Sequence, residues 1–201
     1  MCKSEGVPFY EESFYECGEC DGLFRPKSKL PSYDAEKERY MKHNNDPNDK
    51  GYQEFVSPLT ELIRSNQSKT QEGLDFGAGS GPVIHKELSE EGYDIKLYDP
   101  LYFNNPDLLN QKYDYIYACE VVEHFHHPYS EFNRLHNMLN DGGRLYCKTN
   151  IYNNDIDFGN WYYKNDFTHV FIYKNKTFDW VQNEFKFSNL SINNDIVLFE
   201  K

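Results

Sequence analysis

Residues 73–83 read Gly-Leu-Asp-Phe-Gly-Ala-Gly-Ser-Gly-Pro-Val. Leu74, Asp75 and Phe76 read as the end of a buried strand. Gly77, Gly79 and Gly81 follow at every second position, a turn that glycine alone tolerates well. Val83 to Glu91 then has a helical pattern. A strand, a glycine turn and a helix N-terminus let backbone approach a nucleotide-like ligand closely.

Outward from this segment, strands and helices alternate. Gly51 to Ser65 carries Phe55, Leu59, Leu62 and Ile63 at helical spacing. Ile95 to Tyr98 reads as a strand ended by Asp99-Pro100, and Tyr113 to Ala118 as a third strand. Pro128 to Leu139 reads as a helix with Phe132, Leu135 and Leu139 on one face. Asp141-Gly142-Gly143 is a turn, Leu145 to Lys148 a fourth strand, Thr177 to Glu184 a helix and Ile196 to Phe199 a closing strand. Such alternation predicts crossover connections and an α/β fold with a mostly parallel sheet, whose ligands bind beyond the carboxyl ends of the strands. Asp75, Asp99 and Glu120 fall at those ends.

The chain has 201 residues, enough for one domain or one domain with a small appendage. With 21 basic and 33 acidic residues the net charge is -12, which counts against nucleic acid as a partner. No apolar run approaches a membrane span, and the N-terminus lacks the basic and apolar regions of a signal peptide. Five cysteines, an odd number, fit a reducing compartment, so a cytoplasmic protein is expected. The 17 tyrosines and 15 phenylalanines suit a ring-lined core and a flat organic substrate.

Residues 1–46 read as a separate ribbon-like and helical element, with the main domain over residues 47–201. Cys17-Gly18-Glu19-Cys20 is a Cys-x-x-Cys turn with Cys2 upstream, a pattern that presents thiolates to zinc. A closed site needs four ligands, and Glu5 stands where a fourth cysteine is expected. Two readings stay open: zinc at Cys2, Cys17 and Cys20, and a relic ribbon that folds without metal. Asp34 to Asn45 suggests a charged helix. His43, Asn44 and Asn45 read either as an entrance lid or as the helix C-cap.

The G-x-G-x-G spacing differs from the G-x-G-x-x-G of dinucleotide binders and favours S-adenosylmethionine (SAM) over NAD. SAM has a ribose diol, which calls for a carboxylate that accepts both hydroxyl protons. Asp99 lies 24 residues after Asp75, the span of one strand-helix-strand unit. The segments 74–81, 97–100 (Leu-Tyr-Asp-Pro), 113–125 (Tyr-Asp-Tyr-Ile-Tyr-Ala-Cys-Glu-Val-Val-Glu-His-Phe) and 139–145 (Leu-Asn-Asp-Gly-Gly-Arg-Leu) together resemble class I SAM-dependent methyltransferases. A narrower likeness takes in the cysteine knuckle and the run 160–170 (Asn-Trp-Tyr-Tyr-Lys-Asn-Asp-Phe-Thr-His-Val). It points to a bacterial-type group of these enzymes with no settled substrate. The resemblance implies a Rossmann-like three-layer sandwich. It also implies a cofactor site at Asp75, Gly77, Ala78, Gly79, Gly81, Asp99, Pro100 and Cys119. One departure stands out. Only 14 residues lie between Asp99 and Asp114, too few for the family's third strand and its helix. Tyr98, Leu101 or Tyr102 is then expected to supply the adenine wall.

Glu120, Glu123 and His124 form Glu-x-x-Glu-His, which a helical turn would place on one face. With His169 downstream they make a candidate magnesium or manganese site. The pattern is similar to metal-dependent O-methyltransferases, which use such a motif plus a later histidine. An alternative without metal leaves the glutamate bonded to a backbone turn and His169 or His124 as general base. Asp166 and Thr168 are expected to orient the His169 ring. The aromatic run from Phe158 to Tyr173 reads either as a wall for an organic acceptor or as a cover for the core. His126 and His127 are expected on a surface loop. The leading expectation is methyl transfer to a small or medium organic acceptor, at a hydroxyl oxygen. The alternatives are an RNA-directed methyltransferase and a SAM-binding regulator without catalysis.

Overall fold

The computed structural model describes residues 1–2, 4–42 and 46–201. The reading of His43, Asn44 and Asn45 as lid or cap lies outside the described residues. In chain order the structure has β1 (Gly6–Tyr10), β2 (Phe14–Cys17), β3 (Leu23–Phe24), α1 (Tyr33–Tyr40), α2 (Lys50–Asn66), β4 (Glu72–Phe76), α3 (Val83–Glu90) and β5 (Asp94–Tyr98). Then come β6 (Tyr113–Cys119), α4 (Pro128–Met138), β7 (Leu139–Lys148), β8 (Phe171–Ile172), α5 (Asn175–Phe185), β9 (Asn189–Asn193) and β10 (Ile196–Glu200).

A six-stranded sheet in the order β5-β4-β6-β7-β10-β9 forms the middle layer. β5, β4, β6 and β7 run parallel, and β10 and β9 pair antiparallel at one edge. The alternation of side chains along the strands builds two cores. On one face Leu74, Ile116, Leu145 and Val197 pack with Phe132 and Leu135 of α4 and Phe178 and Val181 of α5. On the other, Tyr115, Tyr117 and Tyr146 pack with Leu59 and Ile63 of α2 and Ile84 and Leu88 of α3. This is the expected α/β three-layer sandwich.

Local chemistry accounts for the helix that carries a proline. Asp49 caps α2 by accepting from Tyr52 N at 2.8 Å. Pro58 inside α2 has no N–H for the Glu54 carbonyl, and the Ser57 hydroxyl donates to that carbonyl at 2.9 Å instead. The turn read at Asp141-Gly142-Gly143 is embedded in β7 rather than preceding it. Leu139 already pairs with Tyr113, and Gly142 takes φ +75° in an irregular register.

Between β5 and β6 no strand forms; a short 3-10 turn over Pro106–Asn110 takes its place. The sheet therefore ends at β5. A second sheet, β1-β2-β3-β8, joins the N-terminal ribbon to a strand from far downstream, with Leu23 opposite Ile172 and Phe24 opposite Phe171. Part of the aromatic segment after β7 serves this layer, while Phe171 and Tyr173 pack into the main core. Phe158 and Tyr152 pack with Phe14 and Leu23, and Trp161 packs against them.

Gly73 in β4 leaves room for a ring. A Cβ there would lie 2.3 Å from Cζ of the fully buried Tyr115. Gly73→Ala is expected to lower the unfolding free energy by about 2 kcal/mol, the usual cost of overpacking, without change in the denaturant slope. Urea melts of the two proteins check this.

Candidate active site

The carboxyl ends of β4, β5 and β6 open into a cavity of about 570 Å³, a size that suits a cofactor-scale ligand. The glycine turn after β4 folds back on β5: Gly77 N and Ala78 N both donate to the Tyr98 carbonyl, at 2.8 and 3.1 Å. Gly77 has φ +84°, and a Cβ on it would meet Val121 at 2.6 Å. Backbone geometry and packing both require glycine there. Asp75, Gly77, Ala78, Gly79, Asp99, Pro100 and Cys119 all line the cavity, and Gly81 does not. Tyr98, Leu101 and Tyr102 line it too, where the missing third strand would have stood.

Asp99 organises this end. Its Oδ2 accepts from Gly79 N at 3.0 Å, and its Oδ1 accepts from Leu101 N and Tyr102 N at 2.8 and 3.0 Å. Asp75 is buried beneath it. Burial pushes the Asp75 carboxyl up to about 8, opposed by the Tyr117 hydroxyl and reinforced by Asp99.

After β6 the chain turns sharply. Glu120 takes φ +54°, a left-handed conformation that costs free energy for a non-glycine residue. A 3-10 turn over Val122–His124 follows. Glu120 therefore precedes the turn instead of sharing a helical face with Glu123 and His124. Burial pushes its carboxyl up to about 9; Glu123 adds to this and the Lys148 ammonium opposes it. Lys148 itself is buried, ion-paired to Asp195, and lies over the Phe55 ring at 4.1 Å.

Glu123, His124 and His169 come together: one ligand-competent atom of each lies within 4.8 Å of the others. Glu120 falls outside that group. Glu123 is fully buried. Its Oε2 accepts from Thr149 Oγ1 at 3.1 Å, while its Oε1 has no hydrogen-bond partner among the described residues. His124 Nδ1 lies 2.9 Å from the Thr168 carbonyl and His169 Nδ1 2.7 Å from the Tyr163 carbonyl. A carbonyl only accepts, so each Nδ1 carries a proton, which leaves Nε2 as the nitrogen that can meet a ligand. Burial also holds the His169 imidazole below its ordinary value, against the pull of Glu123. The two rings stand 4.9 Å apart and both line the cavity.

The expectation that Asp166 and Thr168 orient the His169 ring is corrected. The Asp166 carboxylate accepts from Thr168 Oγ1 and forms a two-pronged pair with Arg39, and neither ring nitrogen of His169 is hydrogen-bonded to it or to Thr168 among the described residues. The Tyr163 carbonyl does the orienting. The acceptor-wall reading of the run from Phe158 to Tyr173 is corrected as well. Of that run only His169 lines the cavity, whose rings include Tyr33 and Tyr40 of α1, Tyr52 of α2 and Phe125. α1 is tied over the opening by Arg39 to Asp166 and by Glu36 to His126 at 2.7 Å. Neither contact had a sequence signal, because each joins lone charges far apart in the chain.

Cys2, Cys17 and Cys20 converge, with all three thiols outside any disulfide. Glu5 is exposed and stands outside that group.

A methyltransferase-domain family model matches residues 47–192. The chain belongs to that family. This methyltransferase fold is similar to that of an O-methyltransferase family protein from Burkholderia thailandensis (TM-score 0.58, 10% identity, 87% of this chain and 64% of that one). It is similar also to human N-acetylserotonin methyltransferase in complex with SAM (TM-score 0.56, 12% identity, 86% and 60%). A third similar structure is Haemonchus contortus phosphoethanolamine N-methyltransferase 2 in complex with SAM (TM-score 0.55, 16% identity, 78% and 41%). The chain thus spans at most 64% of the length of these three structures. A comparison with curated proteins finds no match. No helix among the described residues is long and apolar enough to cross a membrane.

Asp75 gives the methyltransferase a pH dependence of known sign. Burial keeps a proton on Asp75 in the folded chain up to about pH 8, whereas an ordinary exposed carboxyl releases it near 3.8. Its contribution to stability is therefore complete below that lower value and is lost as pH rises toward 8. Asp75→Asn is expected to be more stable than the native protein at pH 9, by roughly 6 kcal/mol on the scale of about 1.36 kcal/mol per unit. The difference should shrink toward zero as pH falls to 4. Melting temperatures across that range check it.

Proposed function

We propose that this methyltransferase moves the methyl group of SAM to a hydroxyl oxygen of a small or medium organic acceptor, assisted by magnesium or manganese at Glu123, His124 and His169. The observation that carries the reading is the pair of imidazoles with Nδ1 fixed by backbone carbonyls, beside a buried Glu123 oxygen without a partner. Histidines that ligate metals are held this way, through the nitrogen that does not bind.

The residues fit both groups. The glycine turn offers close backbone approach, Asp99 faces the cavity for the ribose, and Tyr98, Leu101 and Tyr102 offer the surface for adenine. SAM, when bound, supplies the methyl group on a cationic sulfonium. Buried Asp75 balances that positive charge and gives up its own proton as it does so. A divalent ion, when bound, lowers the pKa of a hydroxyl ligand. With the ion bound, His169 Nε2 would be a ligand and the proton the acceptor loses would pass to solvent; without the ion, that unprotonated nitrogen would accept the proton itself. With SAM held by the glycine turn and Asp99, the acceptor oxygen would take the methyl group and S-adenosylhomocysteine would leave, the acceptor's proton being lost as the new carbon–oxygen bond forms. Glu120, protonated in the free site, donates a hydrogen bond on the acceptor side. Thr149 and Tyr163 hold Glu123 in register through a short hydroxyl relay, at 3.1 and 3.0 Å.

Two measurements test this. Calorimetry at pH 7 should show SAM binding with release of a proton from Asp75, seen as a heat that differs between phosphate and Tris. The Asp75→Asn variant should lose that difference. Failure of both SAM and S-adenosylhomocysteine to bind sinks the reading, and binding without methyl transfer to any acceptor leaves a regulator. Separately, Glu123→Gln and His169→Asn should each lower turnover about 100-fold or more with SAM affinity little changed. Chelation should abolish turnover, and magnesium or manganese should restore it. Full turnover in excess chelator removes the metal from the mechanism.

A further inference from the structure

We propose that Cys2, Cys17 and Cys20 bind a soft divalent cation of the zinc class through three thiolates, and that this centre braces the loop carrying His169. The Cys2 sulfur lies 3.0 Å from that of Cys17 and 3.7 Å from that of Cys20. Sulfurs around a tetrahedral zinc with bonds of about 2.3 Å stand about 3.8 Å apart. The Cys2–Cys20 separation matches that edge, and the Cys2–Cys17 separation reaches it by opening slightly. The turn between the cysteines has the shape a ligand knuckle needs. Backbone N–H groups of Cys20 and Glu19 point at the Cys17 sulfur, and Asp21 closes the turn in a left-handed conformation. Thiolates select zinc over magnesium, and binding sends the thiol protons to solvent. Cys2 and Cys17 also line a cavity of about 180 Å³. Water or a small ligand there completes the fourth position, which no Cys, His, Asp or Glu of that group fills among the described residues.

The knuckle is fastened on both sides. Toward α5, Glu16 pairs with Lys174, Asp21 with Lys176 at 2.8 Å, and Glu19 accepts from Trp180 at 3.2 Å. Toward the active site, β3 pairs with β8, and Arg25 follows directly. Arg25 N donates to the Val170 carbonyl at 2.9 Å, and its Nε donates to the His169 carbonyl at 3.1 Å. Its Nη2 donates to the carbonyls of Lys164 and Asp166, at 2.9 and 3.3 Å. The guanidinium lies over the Phe14 ring of β2 at 4.4 Å. Arg25 is thus a positioning residue that joins the hairpin to four carbonyls of the 164–170 loop. A cation that fixes Cys17 and Cys20 ties the end of β2 to the middle of the turn that leads into β3. The bracing half of the proposal rests on His169 working in the cavity; the metal half does not.

The test uses the full chain, purified under reducing conditions. Elemental analysis should find one zinc per chain. Cobalt added to the stripped protein should give thiolate-to-cobalt absorbance saturating at one equivalent, lost in Cys17→Ser and in Cys20→Ser. Stripping zinc from the native protein should speed amide hydrogen exchange across residues 164–170 about tenfold or more, with β6 unchanged. That arm needs no cysteine variant to fold. A metal-free chain without cobalt–thiolate absorbance, or a band that survives in both serine variants, overturns the site. Unchanged exchange across 164–170 after zinc removal overturns the bracing. Neither readout involves SAM, so failure here is distinct from failure of methyl transfer.

Discussion

Four acids, Asp75, Asp99, Glu120 and Glu123, meet at the carboxyl ends of β4, β5 and β6, three of them buried and Glu120 partly so. Burying a carboxylate costs heavily unless it is hydrogen-bonded, paired or protonated, and the local structure answers that cost residue by residue. Asp99 takes three backbone N–H groups. Glu123 takes the Thr149 hydroxyl. Asp75 and Glu120 keep their protons, at about 8 and about 9. The nearby buried cation, Lys148, is already committed to Asp195. A site built in this way destabilises its own free state and favours positive ligands. A sulfonium and a divalent ion are both of that kind, so one electrostatic constraint supports both halves of the proposed chemistry.

The same constraint explains why the histidines are pinned from behind. A neutral imidazole next to buried acids would be drawn toward protonation, and Glu123 pulls on His169 in that direction. Burial opposes the pull, and the Tyr163 and Thr168 carbonyls fix which nitrogen holds the proton. Those carbonyls belong to the 163–170 loop, which has little regular structure of its own. Its rigidity comes from Arg25 on one side and from Arg39 on Asp166 on the other. The N-terminal segment therefore shapes the reacting end of a domain that begins later in the chain.

Much of this was legible in the sequence. Elements with strong periodicity or clear punctuation appear where the residues place them: the strand and glycine turn at 74–81, the helix from Val83, the strand from Tyr113 and the helix from Pro128. β8 was not legible, because two residues carry no period. β9 carries a weak one, with Leu190 and Ile192 alternating with polar neighbours over five residues. The spacing of Glu123 and His124 announced the candidate cluster. What holds it did not, since the pins are backbone carbonyls and the strut is a lone arginine 144 residues away from His169. Aromatic composition misled for a related reason. Rings suit a packed layer as well as a pocket, and the run after β7 had the ribbon to cover.

The missing third strand shifts its work onto Asp99. The turn from Asp99 to Phe103 is closed by backbone bonds between those two residues in both directions, and the Asp99 carboxylate pins the Leu101 and Tyr102 N–H groups inside it. That turn stands in for the strand and helix that would otherwise flank the adenine. A carboxylate has about four lone-pair positions, and three of those on Asp99 are already occupied, one by the glycine turn. A ribose diol offering two protons therefore competes with Gly79 N–H for Oδ2. Binding on the proposed reading must release that bond, and with it loosen the glycine turn at the moment the ligand arrives to replace it. On that reading, the shortened fold ties the conformation of the glycine turn to occupancy of the ribose site through the single side chain of Asp99.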